Sequence, residues 1–408
     1  MNKNNQQQIL EGSNAIAQTI KNIRPAVVSA YPITPQTHIV EDLAKFKADG
    51  EANYEYVRAE SEFAAASIVL GASATGVRSY SATSSQGLLL MAEVIFNIAG
   101  MRLPVVMTCA NRSISAPINI WNDQQDVMAI RDAGWILLFA ENHQEAVNQH
   151  IMAFKIAEQL KLPVMINVDG FIMTHTYEPV IIPSTEQIKK YLPDYKPEPG
   201  QFLETQNPAT LGALATPAHY MEIRQELHED LTASLKIIDQ EYKKFNASIA
   251  TERSASGAIG SRVDNGLIEY TGPKNPETIL IAMGSVVGTI KDTISNYPPY
   301  KGGIKGGLFS GNKGVGVLKI KTYRPFPAEQ ILKIIKSAKN IAIIDKSISL
   351  GHIGTLASEI KAIAQGKTNA NISSFIVGLG GRDITKEMIK KIIKQAGKKY
   401  DKAQFIGK

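Results

Sequence analysis

Short apolar runs alternate with stretches of helical periodicity over the first 180 residues, the pattern of an α/β fold with a parallel sheet covered on both faces. The runs predict strands at Ala26–Ala30, Asn53–Val57, Arg78–Ala82, Pro104–Cys109, Trp135–Ala140 and Pro163–Val168. Between them the spacing predicts helices at His38–Lys47, Phe63–Ala74, Gly87–Ala99, Gln125–Asp132 and Gln144–Leu160. Five prolines break Tyr191–Pro217, which reads as an irregular connection, and a charged helix follows over Ala218–Phe245. Asn246–Asn265, rich in Ser, Ala and Gly, reads as a linker or insertion. The alternation then restarts, with strands expected at Thr278–Met283, Val315–Ile320, Asn340–Ile344 and Ser373–Val377. Their helices are Ala328–Ser337, Ile353–Ala364 and Thr385–Gln395. Lys301–Gly316 holds seven glycines but no closing Gly-Lys-Ser/Thr, so a mobile loop is expected there rather than a phosphate loop.

Composition narrows the classes. A chain of 408 residues exceeds one ordinary core and predicts two or three domains. At 44% hydrophobic and 20% charged it is neither disordered nor membrane-embedded in pattern, and no run approaches the roughly 18 apolar residues of a membrane span. Met1–Glu11 is polar and Gln-rich, without the apolar stretch of a signal peptide, so a cytoplasmic chain is expected. The single Cys109 excludes an intrachain disulfide and an iron–sulfur cluster held by this chain alone. Seven histidines show no metal-ligand spacing, and no metal is expected on the chain. Net charge is +6, but residues 301–408 carry 21 Lys and Arg against 6 Asp and Glu. Lys386, Lys390, Lys391, Lys394 and Lys398 fall at helical spacing, which fits a solvated helix face or an acidic protein partner.

Ligands of an open parallel sheet bind beyond the carboxyl ends of its strands. The residues that follow the predicted strands are Tyr31-Pro32-Ile33-Thr34-Pro35, Glu60-Ser61-Glu62, Thr83-Ser84-Ser85-Gln86-Gly87, Asn111-Arg112 and Asp169-Gly170-Phe171. Each has a structural explanation of its own. Pro32 and Pro35 stiffen a turn, Glu62 suits the positive end of a helix, and a lone Arg112 can be a surface ion-pair partner. Ser84–Gly87 fits either an anion-binding helix start or an ordinary cap.

In combination the segments are more specific. Tyr31-Pro32-Ile33-Thr34-Pro35-Gln36-Thr37, Glu60-Ser61-Glu62 and Thr83-Ser84-Ser85-Gln86-Gly87-Leu88-Leu89-Leu90-Met91 occur in order with Asn122–Asp126, Asp169–Phe171, Tyr323–Pro327 and Gly378–Asp383. This chain resembles the α subunits of the pyruvate:ferredoxin oxidoreductase family, among the 2-oxoacid:ferredoxin oxidoreductases, over nearly its whole length. The resemblance implies a pyrimidine-binding domain of thiamine-diphosphate enzymes at 1–246, a linker or insertion at 247–272 and a transketolase C-terminal-like domain at 273–408. It implies thiamine diphosphate shared with a β subunit, which supplies the diphosphate and Mg²⁺ side. Iron–sulfur clusters would lie on partner subunits, with γ and δ subunits, coenzyme A and ferredoxin or flavodoxin completing a dimer of heteromers. The missing Gly-Asp-Gly…Asn pattern and the lone cysteine agree with that division. Neither nucleic acid nor membrane is expected as a partner.

The same resemblance assigns roles. Glu62, with Glu60 as its rival, would hydrogen-bond N1′ of the aminopyrimidine and promote proton loss from the thiazolium C2. Arg112 would bind the 2-oxoacid carboxylate through its planar fork, and Thr34 would hydrogen-bond the substrate oxygens. Tyr31 and Pro32 would contact the cofactor. The residues leave open a larger substrate such as 2-oxoisovalerate, a dehydrogenase or transketolase-like chain, and a scaffold subunit without activity.

Overall fold

The computed structural model describes residues 6–249, 261–295 and 314–408. Residues 301–313 of the Gly-rich stretch and 250–260 of the expected linker lie outside the described residues.

Two seven-stranded sheets organise the chain. In the first, Ile136–Phe139, Val164–Asp169, Val106–Asn111, Ser79–Thr83, Val27–Ala30 and Glu55–Arg58 lie side by side and parallel. The central strands Ser79–Thr83, Val106–Asn111 and Val164–Asp169 are buried at every position, so even the alternating Ser79, Ser81 and Thr83 lie under cover rather than on a solvent face. Glu55–Arg58, at the edge, is charged at both ends and mostly exposed. The seventh strand comes from far downstream: Thr322–Arg324 pairs antiparallel with Ile136–Phe139.

The second sheet runs Gln404–Phe405, Asn371–Ile376, Asn340–Asp345, Thr278–Ala282 and Val315–Ile320 in parallel, then Ile268–Thr271 and Ser261–Asp264 antiparallel. Ser261–Asp264 and Ile268–Thr271 correct the linker expected at 247–272, and the preceding helix, Pro217–Ser248, also reaches into that range. Ile268–Thr271 is a fully buried strand of only four residues, with Glu269 among them, so it shows neither an apolar run nor an alternating pattern.

Other departures are local. The helix expected at Gly87–Ala99 is two helices, Ser85–Leu90 and Ala92–Gly100, because Met91 has ψ −9° and its N–H is shared between the Gly87 and Leu89 carbonyls. Helices Gly12–Ile23, Thr185–Tyr191 and Val286–Ser295 and the antiparallel pair Gln8–Glu11 with Tyr177–Val180 lie outside the elements expected from the sequence. Among the described residues, no helix is long and apolar enough to cross a membrane.

One hydrophobic core runs from the first sheet onto one face of the second, through Ile279, Ile281, Leu318, Ile341 and Ile343. The alternate residues Leu280, Ala282, Val317, Ala342 and Ile344 build a separate core on the opposite face. The two sheets are also joined by charge. Lys319 is buried against Glu141 at 2.7 Å, Glu145 at 2.8 Å and Glu269 at 3.3 Å. These contacts fix where the second sheet's loops meet the rim of the first.

Candidate active site

The turn Tyr31–Pro35 leaves strand Val27–Ala30 and is anchored from below by Gln36, whose side chain is fully buried. Its Nε2 donates to the Ala82 carbonyl at 2.6 Å, and its Oε1 accepts from the Ile33 N–H at 3.3 Å. Thr34 sits exposed at the apex, and Tyr31 and Pro32 are exposed beside it. Among the described residues, Tyr31 has no hydrogen bond or ion pair to Glu62 or Arg112.

Glu62 opens helix Glu62–Ala74. Ser61 caps that helix, its Oγ accepting from the Ala64 N–H at 3.2 Å. Glu62 is 8% exposed, whereas Glu60 faces solvent. A glutamate so largely covered ordinarily has a partner. Among the described residues none forms a hydrogen bond or ion pair with Glu62. Its neighbour is Gly87, where an added Cβ would lie 2.7 Å from Glu62 Cγ and Oε1 and 2.6 Å from Thr83 Oγ1. That threonine hydroxyl is itself buried with no partner among the described residues. Only glycine leaves room for the carboxylate and hydroxyl to face the same space.

Arg112 follows strand Val106–Asn111 and is 9% exposed. Its Nε donates to the Asn119 carbonyl and its Nη1 to the Thr34 carbonyl, each at 2.9 Å. Burial lowers the guanidinium from its usual range, opposed by the Asp126 charge, and it stays a cation at neutral pH. Among the described residues, Nη2 and the second Nη1 hydrogen have no acceptor, which leaves the end of the guanidinium able to take a carboxylate. Thr34 and Arg112 are therefore in direct contact, while Glu62 approaches through the helix that begins at Ser85.

Asp126 links these parts, a role that sequence alone did not assign to it. Its Oδ2 accepts from the backbone N–H groups of Arg112 at 2.9 Å and Ser85 at 3.0 Å. Its Oδ1 accepts from Asn111 Nδ2 at 3.0 Å and the Val127 N–H at 2.8 Å. Burial pushes this carboxyl up to about 6 despite the four donors. Ser85, at φ +47°, holds a left-handed backbone unusual for a residue with a side chain, and the Asp126 bond secures it. Only the Asn122–Asp126 motif hinted at this residue.

The second sheet reaches the same rim. Asp169, at the end of Val164–Asp169, accepts from Lys346 Nζ at 3.0 Å, the Ser285 N–H at 2.8 Å and Gln124 Nε2 at 3.1 Å. Burial alone would raise its carboxyl, but Lys346 and Ser285 hold it below the ordinary carboxylate range. Gly284 (φ +76°) is required there, since a Cβ would meet Asp169 Oδ2 and Gln124 Nε2 at 2.8 Å. Asn119, whose carbonyl binds Arg112, donates its Nδ2 to the Gly380 carbonyl at 3.2 Å. Lys346 carries no local sequence signal, because its partner Asp169 is distant along the chain, and so is the Gly380 partner of Asn119.

Two family matches cover most of the chain. Residues 18–244 match the pyruvate flavodoxin/ferredoxin oxidoreductase, thiamine diphosphate-binding family, and residues 276–389 match pyruvate:ferredoxin oxidoreductase core domain II. The chain belongs to this oxidoreductase family, as its motifs led one to expect. The pyruvate synthase subunit PorA of Methanosarcina barkeri is 44% identical, the match covering 96% of this chain and 92% of the relative. PorA of Methanocaldococcus jannaschii is 43% identical over 96% and 95%. The ketoisovalerate oxidoreductase subunit VorA of Pyrococcus abyssi is 38% identical over 94% and 92%. A solved 2-oxoglutarate:ferredoxin oxidoreductase from Magnetococcus marinus superposes with a TM-score of 0.66 at 19% identity, over 96% of this chain and 65% of that one, and shares the fold.

Proposed function

We propose that this chain is the α-type subunit of a pyruvate:ferredoxin oxidoreductase. The complex would convert pyruvate, coenzyme A and oxidised ferredoxin reversibly into acetyl-CoA, carbon dioxide and reduced ferredoxin, two electrons leaving singly. Thiamine diphosphate, when bound, supplies the carbon nucleophile and electron sink that decarboxylation of a 2-oxoacid needs. The observation that carries the reading is Glu62, a largely buried glutamate that has no hydrogen-bond or ion-pair partner among the described residues, beside the Thr83 hydroxyl, which has none among them either. That donor set fits an aminopyrimidine edge. Glu62 would hold a proton at N1′, and Gly87 would keep its carboxylate within the pocket. Tyr31 and Pro32 would close over the cofactor from the exposed turn. Arg112 would hold the 2-oxoacid carboxylate through its free fork, with the Thr34 hydroxyl turned toward the substrate oxygens. Asp126 would fix the backbone of Arg112 while leaving its guanidinium free to bind.

The absent Gly-Asp-Gly motif and the lone, buried Cys109 support a division of labour. A β subunit would supply the diphosphate and Mg²⁺ side. Partner chains, among them γ and δ subunits, would carry the iron–sulfur clusters and meet ferredoxin or flavodoxin in the cytoplasm. The domain division at 1–246 and 273–408 belongs to the same proposal. The VorA similarity makes a branched 2-oxoacid the second reading, separated by comparing pyruvate with 2-oxoisovalerate.

Glu62→Gln in the assembled complex tests the central assignment. Glutamine keeps a hydrogen bond but cannot share the proton, so exchange of the cofactor C2 proton, followed by NMR, is expected to slow by about 10²–10⁴-fold. Exchange at the unmutated rate would transfer the role to Glu60.

A further inference from the structure

We propose that Glu11, His38 and His175 form a binding site for a borderline divalent cation of the zinc, cobalt or nickel kind. One ligating atom from each residue lies within 4.8 Å of the other two, the one such His/Cys/Asp/Glu grouping among the described residues. Two imidazoles and one carboxylate are a favoured ligand set for these ions, which leaves further positions to water. The three residues are remote in sequence, which is why histidine spacing gave no hint of a metal.

The site is built rather than incidental. The segments that carry Glu11 and His175 are tied through the backbone: the Gly12 N–H, next to Glu11, donates to the Thr176 carbonyl at 3.2 Å and the Ser13 N–H to the Thr174 carbonyl at 3.1 Å, the two acceptors flanking His175. Ser13 Oγ donates to the same Thr174 carbonyl at 2.9 Å. His38 enters from the first turn of helix Thr37–Ala48, which Asn14 ties to helix Gly12–Ile23 by donating to Asp42 at 2.8 Å. Its Nδ1 lies 2.8 Å from Glu11 Oε1, and its ring centroid lies 4.5 Å from that of His175.

An ordinary hydrogen bond would account for Glu11 and His38 alone. It does not account for the second imidazole. His175 Nδ1 meets Thr174 Oγ1 at 2.7 Å, and that hydroxyl also accepts from the Phe171 N–H at 2.8 Å. This is the outer-shell contact that orients a metal-binding histidine. The other nitrogen, Nε2, has no hydrogen-bond partner among the described residues. Ligands about 2.0–2.2 Å from a tetrahedral ion stand roughly 3.3 Å apart. Glu11 Oε1 and His38 Nδ1, 2.8 Å apart, would part slightly to admit the ion, and their side chains, 17% and 45% exposed, have room to turn. The cluster shares no residue with Glu62, Arg112 and Thr34, so its occupancy is measurable apart from catalysis.

The test titrates the full chain, treated with chelator, with Zn²⁺ alone by calorimetry. One saturable ion per chain is expected. His38→Gln or His175→Gln should weaken it by more than the roughly 10–100-fold that loss of an outer-shell partner costs. Circular dichroism and the metal-free thermal midpoint check that the variants fold, and Co²⁺ provides a readout on the unmutated chain. Intense visible Co²⁺ bands from a low-coordinate site support the proposal, whereas the faint spectrum of the hydrated ion overturns it. Zn²⁺ binding that is absent, or unchanged in the double histidine variant, overturns it as well.

Discussion

Two of the five N–H groups on Arg112 are committed to carbonyls of the protein, and this makes the side chain more than a positive charge. Lysine at this position keeps the charge and loses both the fork and its anchoring. Arg112→Lys is expected to lower 2-oxoacid turnover efficiency by about 10–150-fold, the loss of one charge-assisted hydrogen bond of roughly 1.5–3 kcal/mol. Cofactor affinity should hardly change. Steady-state rates with pyruvate and 2-oxoisovalerate check this, because the carboxylate is common to both; unchanged efficiency with both would remove Arg112 from the role. A different carboxyl reports on pH. Asp345, buried where the Leu356 and Ala357 N–H groups reach it at 2.8 and 3.2 Å, is pushed up to about 7 by that burial. The folded state therefore keeps a proton that the unfolded chain releases near pH 4. Its stabilising contribution is complete below about pH 4 and is lost as pH rises through 7. Asp345→Asn removes this titration, so the thermal midpoint of the variant relative to the native chain should climb between pH 5 and pH 8. Parallel curves would show that Asp345 does not titrate there.

Helix Ser85–Leu90 shows how one element serves the site through the space it leaves. Alanine is the better helix former by about 1 kcal/mol, yet a Cβ at Gly87 would overlap Glu62 and Thr83, and overpacking costs about 1–3 kcal/mol. Gly87→Ala is expected to lower the thermal midpoint slightly and activity strongly; a more stable, fully active variant would show that the Glu62 pocket can give way. What could be read from sequence follows the same divide between local and distant causes. Strands such as Ile136–Phe139 announce themselves as unbroken apolar runs because both their faces are covered. Helix Gly12–Ile23 is masked by its Gly-Ser-Asn opening, although Ile16, Ile20 and Ile23 fall at helical spacing. Arg112 and Thr34 were found because each follows a strand, and their contact fits one rim. Asp126 and Lys346 were not, because their partners are chosen by the tertiary fold.

Across the whole molecule, the pair Asp169–Lys346 ties the first sheet to the second within a buried polar cluster. Asp169→Asn leaves Lys346 enclosed without its counter-charge, and breaking a buried pair in this way costs about 3–5 kcal/mol. The double variant Asp169→Asn with Lys346→Met should recover part of that loss. Urea unfolding of the full chain measures the coupling; strictly additive losses would mean the pair is not what joins the sheets. The crossing at Lys321 has a consequence for dissecting the protein. The chain leaves the second sheet at Ile320, and two residues later it is completing the first. An N-terminal half cut out at residue 246 would lack the border strand that covers Ile136–Phe139. That fragment would present Ile-Leu-Leu-Phe as a bare, sticky margin to other copies. A soluble version would need the Thr322–Arg324 segment returned to it, grafted on or supplied in trans.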